Sequence, residues 1–382
     1  MKTTVPSFAK TTTLVARTLG LTPDELRASF QPARLCHLPG ITDMRRRVIG
    51  SHLTWDDARY LRWRYDFEGH PDSHGCLMVV AYEDRVLGMI GAENVRLTCG
   101  DETLDALSLM DIMVDPDLDG AGLGVWLNMA IFARNPVVLE TGANRNSIGL
   151  ITRLFHRLPN RKQYIVPLTL RRYLTKRLRS RVAALALAVP ADVALKLWRA
   201  IAFRRIPPSW SLRDLMQFDD SVERLFTRRW TSAEITFERS SRYLNWRLFE
   251  NPRAKYSVLA AFEASDMIAY AAYQIHNDAG GMKIVRIVDW LVDTRHGFAG
   301  FGLLAQEIIR RALAEKADLV SLSLLHARSE RSLWRFGFFT GPSSEFTTVG
   351  VHCAEPAPWR ALYDGSAWFL TKANTDLDSI GL

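Results

Sequence analysis

The chain has 382 residues, 48% of them apolar, which is enough for two ordinary domains with separate cores and excludes a disordered chain. Its formal charge of +8 is local: Arg171 to Ile206 holds ten basic residues against Asp192 alone, so the remainder sums to about −1 and a uniformly basic nucleic-acid surface is excluded. No run of about 18 apolar residues and no basic-then-apolar leader occurs, so a cytoplasmic protein that does not span a membrane is expected.

In chain order, the first half reads as strands over 77–82, 86–97 and 104–114, separated by Glu83-Asp84 and Gly100-Asp101. A helix over 124–134, a strand over 137–140 and a second short helix follow. Strands over 256–262, 267–276 and 282–292, a helix over 302–317 and a strand over 319–324 repeat this order. The repeat is visible in the residues: Arg59-Tyr-Leu-Arg-Trp-Arg64 recurs as Arg242-Tyr-Leu-Asn-Trp-Arg247, Asp111-Ile-Met-Val-Asp115 as Asp289-Trp-Leu-Val-Asp293, and Gly122-Leu-Gly124 as Gly300-Phe-Gly302. Tyr60, Trp63 and Phe67 have the spacing of one buried helical face, with Arg64 or Arg247 placed to close an acidic pair. The four cysteines form no C-x-x-C pair, and His70 and His74 fall in a Gly69/Pro71 loop, so no metal site is expected.

Each last strand of the meander runs into a glycine turn that opens a helix. Glycines let backbone approach an anion closely, and the free N–H groups of the helix's first turn then point at it, which suits a pyrophosphate. A merely tight turn is the plainer alternative. An antiparallel meander argues against a dinucleotide fold, and no Gly-Lys-Ser/Thr follows as a Walker loop requires.

The stretch Val114-Asp-Pro-Asp-Leu-Asp-Gly-Ala-Gly-Leu-Gly124 resembles the pyrophosphate loop Q/R-x-x-G-x-G/A of the GNAT superfamily of acyl-CoA-dependent N-acyltransferases. Asn144 to Leu154 and His326 to Phe338 resemble that family's next segment, an Asn-led helix ending in Gly-Phe. The resemblance spans roughly 40–165 and 215–350. It implies an α/β (α+β) tandem duplicated GNAT fold, each half a mixed, mostly antiparallel sheet flanked by helices. It also implies acyl-CoA as co-substrate, an amine acceptor and no metal. The domains expected are 1–168, a basic amphipathic helical linker 169–208, and 209–382. Asp119 and Gly297 stand where the family prefers Gln or Arg, and apolar Ile151 and Leu333 stand where its Tyr often protonates the departing thiolate.

The cofactor candidates are Val114, Gly120, Ala121, Gly122, Leu123, Gly124, Val125 and Asn144. Amine attack on a thioester needs a base, for which Asp111, Asp289 and Glu140 are candidates; the counterpart of Glu140 is Leu322. Each could equally be a structural partner of arginine. The first half, with Pro116 and three alternating glycines, is expected to hold the cofactor, because Phe298 and Phe301 crowd the second turn. In the linker, Leu174, Leu178, Val182, Leu185 and Val189 form an apolar stripe, and after Pro190 Val193, Leu197 and Ile201 continue it, with cations opposite and Trp198 at the edge. That pattern fits a helix pair lying on an anionic membrane, or a stripe packed across two domains; nucleic acid fits less well. An N-acyltransferase is expected, with a long-chain base as acceptor in an arrangement similar to bacterial GNAT-like ceramide synthases. A soluble acetyltransferase of amino sugars and an inactive acyl-CoA or membrane binding module are the alternatives.

Overall fold

The structure, a computed structural model, describes residues 7–50, 58–70, 73–100, 102–142, 147–178, 180–202, 210–229, 234–278, 280–341, 349–354 and 359–375. The chain forms two compact units that interleave in sequence. Unit 1 comprises Met1–Pro159, Asn251–Arg253 and Thr348–Gly365; unit 2 comprises Asn160–Glu250, Ala254–Thr347 and Ser366–Leu382.

Unit 1 begins with helices α1 (Phe8–Thr18), α2 (Pro23–Ser29), α3 (Leu38–Ile49) and α4 (Ala58–Arg64). Its sheet uses β1 (Phe30–Pro32), β2 (Gly75–Tyr82), β3 (Arg85–Cys99), β4 (Glu102–Val114), β5 (Val137–Glu140) and β6 (His156–Leu158), with the late strand β15 (Val349–Cys353), in the order β1-β2-β3-β4-β5-β15-β6. Strands β1 to β4 are antiparallel, whereas β4 and β5 are parallel. A parallel neighbour requires a crossover, and α5 (Leu123–Phe132) supplies it. Its Leu123, Trp126, Leu127, Ala130 and Ile131 recur at helical spacing, and all are buried on the sheet. After β5 comes α6 (Ile148–Leu154). Tyr60 and Phe67 are buried on the other face, with Trp63 partly buried beside them. Arg64 closes an ion pair with buried Glu93 at 2.9 Å.

Unit 2 contains β7 (Lys162–Pro167), α7 (Arg171–Arg177), α8 (Arg181–Ala202), β8 (Trp210–Leu215), α9 (Ser221–Arg229), β9 (Ile235–Phe237), α10 (Ser241–Leu244), β10 (Ser257–Glu263), β11 (Asp266–Asn277) and β12 (Lys283–Val292). It continues with α11 (Ala299–Ala314), β13 (Leu319–Leu325), α12 (Glu330–Arg335), β14 (Phe339–Thr340) and β16 (Leu370–Thr371). The sheet order is β14-β7-β13-β12-β11-β10-β8, and β16 adds to β13. The repeat extends to backbone detail: the β2–β3 and β10–β11 hairpins turn through two residues, the first being Glu83 at φ +52° and Ala264 at φ +54°.

Two expectations change. The linker does not break at Pro190; α8 runs through it, because Pro190 is exposed and the carbonyl it leaves without a donor is on the solvent side. The break comes earlier, between α7 and α8. Nor does the apolar stripe pack inward: Val182, Leu185, Val189, Val193 and Leu197 are exposed, while the buried face of α8 is made by Ala184 and Ala188. Trp198 is turned inward and stacks on Phe339 at 5.2 Å.

Candidate functional site

Within unit 1, β4 and β5 pair only at Leu107↔Val138, Ser108↔Leu139 and Leu109↔Glu140. Beyond Leu109 no further pair forms, because β5 ends at Glu140. On its other edge β4 carries a register shift in which Asp111 and Ile112 face no partner on β3, with Asp111 at φ +50°. The end of this ladder is a candidate cleft, with the Leu109↔Glu140 pair at its apex and the edge of Met110 to Val114, unpaired on this side among the described residues, as one wall. Asp111, Ile112 and Val114 are half-buried there, and Glu140 is 6% exposed.

The glycine turn lies at the end of that wall. Asp115 follows β4 and caps the 3₁₀ turn Pro116–Leu118 by accepting from the Asp117 N–H. Buried Asp115 also holds Arg47 at 2.8 Å and Arg85 at 3.0 Å, so its carboxyl lies below its ordinary value: burial works against the charge, and these donors outweigh it. Gly120 (φ +81°) and Gly122 (φ +78°) occupy backbone that an L side chain rarely adopts. Among the described residues nothing stands within 4 Å of where a Cβ on Gly120 would lie, and at Gly124 only Val114 Cγ2, at 3.7 Å, comes near. Gly122 is the N-cap of α5, which leaves the first-turn N–H groups of Leu123, Gly124 and Val125 as donors the helix itself does not use. Ala121 and Leu123 are buried and anchor the turn. Asn144 lies outside the described residues.

The corresponding place in unit 2 is filled. Here β12 and β13 pair in parallel from Ile284↔Leu319 to Ile287↔Leu322, so Leu322 holds the register position that Glu140 holds in unit 1. Past that point β13 pairs with β16 instead, through Leu324↔Thr371 and Leu325↔Leu370. Trp368, Phe369, Leu370 and Thr371 are at most 1% exposed, and Phe369 packs edge-on against Trp290 and His326. His326 in turn bonds Glu234 at 3.0 Å. The glycines differ as well. Helix α11 starts at Ala299, earlier than the expected 302, so Gly300 and Gly302 are buried inside it. A Cβ on Gly302 would collide with the Phe336 ring, and one on Gly300 would meet Ala269 Cβ at 3.0 Å. These glycines serve close packing.

The two strand aspartates are both ion-paired, by different routes. Asp111 meets Arg45 of α3 at 3.1 Å and accepts from the Tyr65 hydroxyl at 2.6 Å. Burial acts to raise its carboxyl, and Arg45 with the Tyr65 hydroxyl more than offsets that, leaving it lowered. The Tyr65 hydroxyl is pushed well above its ordinary value by burial and by Asp111. Asp289 accepts from Arg239 Nε at 3.1 Å, Arg239 Nη2 at 3.0 Å, Tyr270 at 2.5 Å and Thr371 at 2.7 Å. Four donors thus occupy the acceptor positions of the Asp289 carboxylate. Glu140 Oε1 accepts from the Gly142 N–H at 3.2 Å. Arg45, Tyr65, Arg239, Tyr270 and Thr371 carry no repeat signal. The arginines precede their aspartates by 66 and 50 residues, so a search at fixed offset misses them.

Ile151 and Leu333, where an acidic Tyr would fall, are buried core residues. Among the described residues no three His, Cys, Asp or Glu side chains gather as metal ligands would, and no helix is long and apolar enough to cross a membrane.

Two sheets, each with a bulged strand that leads through a glycine-containing segment into the crossover helix and on to a parallel strand, make this a tandem GNAT fold. Solved structures share it. A GCN5-related N-acetyltransferase from Anabaena variabilis superposes with a TM-score of 0.57 at 10% identity, covering 85% of this chain and 73% of that one. N-myristoyltransferase of Saccharomyces cerevisiae with bound myristoyl-CoA gives 0.51 at 12% identity, covering 85% and 78%. A tandem GNAT protein from the clavulanic acid biosynthesis pathway gives 0.50 at 11% identity, covering 86% and 99%. No protein-family model matches the sequence, and neither does any curated protein.

Proposed function

We propose that the protein is an acyl-CoA-dependent N-acyltransferase whose cofactor site is the cleft and glycine turn of unit 1. One observation supports this reading: past the last parallel pair, β4 has no further partner on that edge among the described residues of unit 1, whereas in unit 2 residues 370 and 371 pair with β13 at the corresponding place. The pyrophosphate is held by Gly122, Leu123, Gly124 and Val125 N–H groups at the start of α5, with Gly120, Ala121 and Val114 shaping the approach. The pantetheine arm lies along the unpaired edge of β4, which puts the thioester at the apex.

There the amine nitrogen attacks the thioester carbon, a C–N bond forms and the C–S bond breaks. Glu140 accepts the proton the amine must lose, and a free N–H on the open β4 edge stabilises the oxyanion. Asp111, held by Arg45 and Tyr65, fixes the bulge; Asp289 does the same for unit 2. The thiolate takes its proton from water, since Ile151 offers none. The acceptor in this reading is an amphiphilic amine such as a long-chain base, with an amino sugar as the second reading. Thiol release from acetyl-CoA and palmitoyl-CoA over a panel of sphingoid amines and amino sugars tests it. Release with palmitoyl-CoA and a sphingoid amine supports the first acceptor. Release only with acetyl-CoA and an amino sugar moves the assignment to the second, and release with no pair leaves an acyl-CoA-binding module.

A further inference from the structure

Helix α8 presents its apolar side to solvent. Val182 is 79% exposed, Val189 62%, Val193 53% and Leu197 63%, and at helical spacing these four lie on one face with Leu185. The inward face is alanine, anchored by Trp198 on Phe339. A soluble helix has the opposite arrangement, so the outward stripe is a surface for something else.

Charge identifies the partner. Arg171 to Ile206 contains ten basic residues and a single acid, Asp192. That acid is turned inward, where it accepts from Thr169 Oγ1 and the Leu170 N–H, both at 2.9 Å. The outer surface of the segment therefore offers apolar side chains and cations, with exposed Arg171 and Lys196 among them, while Arg172 pairs with Asp318 at 3.1 Å. A second copy of this chain would bring two such cationic surfaces together. An anionic lipid surface matches both properties, apolar below the headgroups and negative at them.

We infer that α8 docks the protein on an anionic membrane, with Val182, Val189, Val193 and Leu197 entering the headgroup boundary. The inference stands on this helix alone and does not depend on the chemistry of the cleft. Flotation of the full chain with phosphatidylglycerol vesicles tests it, against phosphatidylcholine vesicles and at low and high salt. Binding is expected to the anionic vesicles, to weaken as salt screens the cations, and to fall about tenfold or more in V189D/L197D. Both positions are exposed, so the melting temperature of that variant stays unchanged. Binding that ignores lipid charge, no binding at low salt, or undiminished binding of the double variant would each overturn the inference. So would a dimer of the parent that V189D/L197D turns monomeric, which assigns the stripe to a second copy.

Discussion

The two glycine turns have the same spacing in sequence and do opposite work in space. Around Gly120, Gly122 and Gly124 the absent side chains leave room, two of the three residues have positive φ, and the β4 edge behind them has no β5 partner past Leu109. Around Gly300 and Gly302 the absent side chains let Ala269 and Phe336 pack tightly, and the cleft is closed by β16. A duplicated motif thus reports a shared ancestry of fold. In the proposed function the surroundings of each copy decide which one takes the ligand.

Several substitutions would break or sharpen this contrast. The largest effect is expected at the apex of unit 1: Glu140→Gln should lower kcat by about 10²–10⁴ while acyl-CoA affinity stays the same, as turnover and equilibrium binding would report. Next is Arg239→Met, which leaves Asp289 buried with part of its charge uncompensated. It should cost roughly 3–5 kcal/mol in denaturant unfolding, and the double change with Asp289→Leu should restore much of the loss. Gly302→Leu should cost about 1–3 kcal/mol through its clash with Phe336 while the folded fraction keeps its acyl-CoA affinity. Asp119→Arg, which replaces an exposed acid beside the turn with the residue type the GNAT loop favours, should tighten acyl-CoA binding a few-fold, roughly 0.5–1 kcal/mol.

The smallest effect is one of pH on unit 2. His276 is lowered to about 4 by burial and by Arg286 and Lys372, the latter just beyond the β16 plug. Between the unfolded value of about 6.5 and that folded value the unfolded chain binds more protons, so stability is full above pH 6.5 and declines as pH falls toward 4. His276→Asn should flatten that stretch of the stability profile; an unchanged slope would remove His276 from the account.

Much of the fold was legible in the sequence because its signals are local. Turn residues such as Glu83-Asp84 and Gly100-Asp101 bound the strands of the meander, 3.6-residue spacing marks α5 and α11, and the repeated Asp-to-glycine segments align the halves. The equivalence of Glu140 and Leu322 follows from matching the strands after the two helices, and it recurs in the strand register. What was not legible depends on distant parts of the chain. The interleaving of the units, the plug at 368–371 and the partners of Asp111 and Asp289 come from tertiary placement, with Arg45 and Arg239 supplied from different elements. The outward stripe of α8 was visible as a stripe, but spacing alone does not say which face meets the protein.

The most direct measurement is calorimetric titration of acyl-CoA into the full chain and into two variants, Gly122→Val and Gly302→Val. The account predicts one equivalent bound by the parent, lost in Gly122→Val and retained by the folded fraction of Gly302→Val. Binding of two equivalents, or one that survives Gly122→Val and disappears in Gly302→Val, would contradict it.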